Sequence, residues 1–73
     1  MTFGERAVGL NPSGDKDVAK INALFAEIID FCNEERGGAE GRRNERARLF
    51  SRAIDEAQVA QMLAIKAIAW SDE

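Results

Sequence analysis

A chain of 73 residues with a net charge of −3 allows one domain at most. Folding at this length buries only ~60% of the surface of the unfolded chain, so a single core is marginal. One cysteine and no histidine exclude an intrachain disulfide and leave zinc without a ligand set, no stretch approaches the ~18 consecutive apolar residues of a membrane span, and oligomerisation is the stabilising device that remains.

Residues 1–14 hold three of the six glycines and the only proline, with little periodicity, and read as an extended N-terminal arm. The early Glu5 and the lack of a long apolar run do not read as a signal peptide, so a reduced, cytoplasmic setting is expected. Asn11, Pro12, Ser13 and Gly14 are turn chemistry, and Ser13 or Asp15 can cap a following helix.

The first long helix is expected from about Lys16 to Arg36. Val18, Ile21, Leu24, Phe25, Ile28, Phe31 and Cys32 recur at the spacing of one helical face. Asp15 and Asp17 suit the positive end of the helix dipole, and Gly37 and Gly38 stop the helix. The short connection over 37–41 favours an antiparallel neighbour.

The second long helix is expected from about Arg42 to Trp70, ~40 Å long. Ala53, Ala57, Ala60, Ala64 and Ala67 fall on a heptad seam made of alanine, where another helix can approach closely. From Val59 to Trp70 only Gln61 and Lys66 are polar. A helix apolar all round must be buried all round. One partner helix covers one face, so other protomers are expected on the rest. The expected fold is therefore all-α, an antiparallel two-helix hairpin over 15–73 with an N-terminal arm over 1–14, assembled into a helical homo-oligomer.

Catalytic chemistry is missing from the sequence. Cys32 has no histidine to activate it and lies on the apolar face of the first long helix, where a buried structural thiol is expected. The pairs Asp15/Asp17, Glu34/Glu35 and Asp55/Glu56 do not face one another on a helix, so they make poor acid–base pairs. Neither an enzyme nor a cofactor is expected.

Charge is unevenly spread. Between Arg36 and Arg52 lie six arginines against Glu40 and Glu45, a local +4 that leaves −7 for the rest of the chain. A compact arginine cluster suits a small phosphorylated ligand better than a duplex, which needs a basic stripe. The same cluster also reads as an ordinary solvated loop and helix start. Lys66 reads either as a lysine snorkelling to water at an oligomer rim or as one aimed at an anion between protomers. Gln61 could meet a base edge or backbone.

The run from Ala60 to Ala69, with Gln61, Met62, Ala64, Lys66 and Ala67, resembles the C-terminal signature of the phage anti-CBASS and anti-Thoeris hairpin family. Asn11, Pro12, Ser13 and Gly14, followed by Asp17, Val18 and Ile21 and then Ala26, Glu27, Ile29 and Asp30, are similar to the N-terminal half of its small members. Together these stretches span about sixty of the 73 residues. The resemblance implies a helical hairpin assembled into a compact multimer, typically a hexamer. It also implies a non-catalytic sponge that sequesters cyclic nucleotide immune signals in the host cytoplasm. Two positions depart from the family: Leu63 stands where a tryptophan is usual, and Asn22 where many members have lysine.

The expected ligand is a cyclic oligonucleotide or a cyclic ADP-ribose isomer, bound between protomers because a hairpin alone is convex. Asn11, Ser13, Lys16 and Lys20 form one candidate group, to which the resemblance also points. Arg42, Arg43 and Arg46 form another, with Lys66 a more distant candidate; arginine offers phosphate a planar two-bond fork. Two sites are expected, because the groups lie at opposite ends of the first long helix. The competing reading is a helical oligomerisation or adaptor protein with no small-molecule ligand. A nucleic-acid regulator is disfavoured by the negative charge and the lack of a helix-turn-helix pattern.

Overall fold

The computed structural model describes residues 1–9, 14–38 and 44–70, and these are helical with no strand among them. Three helices follow in order: α1 (Phe3–Val8), α2 (Lys16–Glu35) and α3 (Glu45–Ile68). The two long helices match the expected spans to within a few residues.

The arm expected to be extended instead contains α1. Its cause is a capping box: Thr2 Oγ1 accepts from the Glu5 backbone N–H at 3.0 Å, and Glu5 Oε1 accepts from the Thr2 N–H at 2.8 Å. Gly9, at φ 80°, ends it. The burial of Gly4 explains how so short a helix docks. A Cβ at this position would fall inside contact distance of the Ala26 carbonyl oxygen, while the Gly4 N–H donates to Asp30 Oδ1 at 2.7 Å.

Asp15 caps α2 by accepting from the N–H groups of Asp17 and Val18 at 2.8 and 3.0 Å. Gly37 and Gly38 close it with positive φ, their N–H groups donating to the Glu34 and Asn33 carbonyls. Asn44 caps α3 through the Ala47 N–H at 2.7 Å. Glu35 bonds Arg46 near one end of the long helices, and Asn22 bonds Gln61 towards the other. Residue numbers therefore fall along α2 as they rise along α3.

The core is small: Ile29, Cys32 and Ile54, with Ala7, Val8, Phe50 and Ala57 packed against it. Along α2 the buried positions are Asn22, Ala26, Ile29 and Cys32. The buried face is thus turned from the expected one. Of the residues assigned to that face, Cys32 is buried and Val18, Ile21 and Phe25 are half-buried, while Leu24, Ile28 and Phe31 are exposed. Small and polar side chains win the inner line because α1 approaches Ala26 backbone to backbone and because Asn22 finds a partner.

The second long helix is not covered all round within one chain. Leu49, Val59, Met62, Leu63 and Trp70 stay between 47% and 65% exposed. Nor is the alanine seam a core element: Ala57 and Ala64 are half-buried, whereas Ala53, Ala60 and Ala67 face solvent.

Candidate functional site

The charged residues sort by whether the fold already uses them. Arg36 donates to Asn33 Oδ1 and Ser51 Oγ and lies over the Phe3 ring at 5.2 Å. Arg46 donates to the Glu35 carbonyl at 2.7 Å and its carboxylate at 2.8 Å, with the guanidinium 5.0 Å above the Phe50 ring. It closes the C-terminal end of α2, where a cation meets the negative end of the dipole. Arg48 pairs with Glu45, whose hydrogen bond raises the guanidinium pKa above its ordinary range, and Arg52 pairs with Glu56. Among the described residues of the arginine cluster, each guanidinium has an acceptor. Arg42 and Arg43 lie outside the described residues, as do Asn11 and Ser13.

Lys16, Lys20 and Lys66, with Arg6, make no side-chain hydrogen bond or ion pair among the described residues. Lys16, Lys20 and Lys66 are exposed. The Asn22–Gln61 pairing puts the start of α2 beside the end of α3, so Lys66 shares an end of the molecule with Lys16 and Lys20 and not with Arg46. The expected grouping named Lys66 with the arginines, as their more distant candidate. By helical phase Lys16 and Lys20 stand on the outer edge of α2 and Lys66 on the outer edge of α3. Trp70, 65% exposed, ends the same edge as Lys66.

Gln61 is committed to the fold. Its Nε2 donates to the Val8 carbonyl at 3.0 Å and to Asn22 Oδ1 at 2.8 Å, and Gln58 Nε2 donates to the Ala7 carbonyl at 3.3 Å. These glutamines satisfy carbonyls that the end of α1 leaves open. Asn22 therefore belongs to a buried polar pair. This use of Gln58 and Asn22 was not foreseen from the sequence; its signal was the i, i+3 pair of Gln58 and Gln61 at the start of the apolar stretch of α3.

Beside Arg46, an open groove of about 550 Å³ is lined by Arg46, Leu49, Phe50 and Ala53. It offers an apolar floor with one guanidinium at its edge, a guanidinium already held by Glu35. No cluster of three or more metal-ligating side chains occurs among the described residues, and no helix is long and apolar enough to cross a membrane. Comparison with known proteins found no matching family model, curated protein or solved structure.

Proposed function

We propose that the chain is a non-catalytic sponge for cyclic nucleotide immune signals, folded as an antiparallel two-helix hairpin braced by α1 and working as a homo-oligomer. The observation that carries this reading is the separation of its cations. The described arginines from Arg36 to Arg52 already have acceptors, whereas Lys16, Lys20 and Lys66 have none among the described residues and stand at one end of the molecule.

A cyclic di- or trinucleotide, or a cyclic ADP-ribose isomer, presents at least two phosphate charges with flat bases beside them. Unpaired lysines suit the phosphates, and the exposed Trp70 ring is a stacking surface for a base. Lys20 and Lys66 stand on opposite edges, so one ligand meets both only when two protomers come together. The resemblance of the segments around Asn11 to Asp30 and Ala60 to Ala69 supports the same ligand class and a hexameric assembly. With no histidine in the chain and its only thiol buried, no nucleophile is activated, so a bound signal is held and not cleaved.

The exposed Leu63 and Trp70 equally suit a protein partner, which is the adaptor reading. A thermal-shift screen of the full chain against cyclic di- and trinucleotides and cyclic ADP-ribose isomers separates the two. A ligand at 100 times its Kd adds about 2.7 kcal/mol of stability. A clear shift with one nucleotide class supports the sponge; no shift with any of them leaves the adaptor reading.

A further inference from the structure

The side of the α2–α3 pair opposite α1 is apolar and has no cover among the described residues. Around α2, Asp30 bonds α1, Asn22 and Ile29 face α3, and Ile28 and Leu24 follow beyond. Around α3 the order is Gln58 and Gln61 towards α1, then Ala57, then Ala60 and Ala53. On one face, therefore, α2 presents a ridge of Leu24, Ile28 and Phe31, which are 48%, 51% and 60% exposed. Beside it, α3 presents a trough of alanines.

We infer that a second copy of this chain docks on this face about a two-fold axis parallel to the helices, so that the α2 ridge of each copy lies in the α3 trough of the other. The inference deepens the homo-oligomer reading and does not depend on the ligand. Two features select this occupant. The hydrogen bonds Asn22–Gln61 and Glu35–Arg46 fix the levels, placing Leu24 level with Ala60 and Phe31 level with Ala53. An axis along the helices preserves those levels, so large side chains meet small ones in both halves of the contact, as a self-complementary interface requires.

The area also suffices: two helices ~30 Å long and ~10 Å apart offer a face approaching the ~800 Å² that each partner of a standard interface buries. The product is a four-helix bundle with α1 on its two outer sides, and its outer α3 edges, with Leu63 and Trp70, stay free for higher assembly.

Leu24→Glu and Ala60→Lys test this on the full chain. Both positions are exposed within one chain, so helicity measured by circular dichroism is expected to stay near native for each. Sedimentation of the native chain is expected to show an even-numbered assembly. Each variant is expected to weaken the dimer at least ten-fold. Mixing the two is expected to restore association, because the carboxylate introduced at position 24 of one copy then faces the ammonium introduced at position 60 of the other. A native monomer at ~100 μM overturns the oligomer reading itself. A native oligomer whose mass and dissociation are unchanged by Leu24→Glu, or a mixture that stays apart, overturns this interface alone.

Discussion

Gln61 Nε2 stands 2.8 Å from Asn22 Oδ1, a buried polar pair joining the two long helices where a small core would ordinarily place apolar side chains. The second Gln61 hydrogen reaches the Val8 carbonyl, so one amide group ties all three helices together. Gln61→Leu removes both bonds and leaves two acceptors without donors. An unsatisfied buried group costs about 1–3 kcal/mol, and urea denaturation is expected to show a loss in that range. Adding Asn22→Leu is expected to recover part of it, because the stranded amide oxygen goes with the asparagine. A double variant no more stable than Gln61→Leu alone would contradict this account of the pair.

Gly4→Ala tests the docking of α1. The added methyl meets the Ala26 carbonyl oxygen, which belongs to a helix backbone and cannot move aside. Overpacking of this kind costs about 1–3 kcal/mol. The expected outcome is loss of hydrogen-exchange protection at the Gly4 amide with α2 and α3 retained, read by NMR. Protection as strong as in the native chain would show that α1 is not held by close approach.

Acid acts on the same helix. The Thr2 backbone and side-chain hydrogen bonds hold the Glu5 carboxyl below its ordinary value of 4.5. A carboxylate with a lowered folded pKa stabilises fully above the unfolded value, and that contribution is lost as pH falls through the folded one. The capping box is therefore expected to be intact at neutral pH and to loosen only below the ordinary glutamate range. Glu5→Gln is expected to abolish that acid transition, followed by the Thr2 and Glu5 amide shifts.

Much of the fold was legible in the residues. Asp15 and Asn44 are caps and Gly37 and Gly38 are stops, and local chemistry of this kind is decided within one turn. The capping box of Thr2 and Glu5 was equally local, but the glycines around it read as an arm. The rotated core of α2 was not legible. Leu24, Ile28 and Phe31 have the spacing of a buried stripe, and only the contacts of Gly4 with Ala26 and of Asn22 with Gln61, made across the chain, place the inner line elsewhere. The candidate site was legible in part for the same reason. Arginines and lysines both read as ligand cations, and the ion pairs of Arg46, Arg48 and Arg52 separate them only once the helices are built.

The cations can be tested separately. Lys16→Gln with Lys20→Gln, and Lys66→Gln, are each expected to weaken a cyclic nucleotide by about 1.5–3 kcal/mol per charged hydrogen bond lost. Arg46→Gln is expected to cost little affinity and to lower stability by about 1 kcal/mol at most, because its ion pair with Glu35 is solvent-exposed. Calorimetry with the mass of each variant checked distinguishes these outcomes. Full affinity in the lysine variants, with a loss in Arg46→Gln, would move the site to the groove beside Phe50.

The measurement closest to the central claim is titration calorimetry of the full native chain with the cyclic nucleotide panel, followed by heat denaturation and chromatography of the released ligand. Saturable binding of at least one class, and its return as the intact cyclic compound, is the expected result. Absence of binding across the panel, or recovery of a linear or cleaved product, would contradict it.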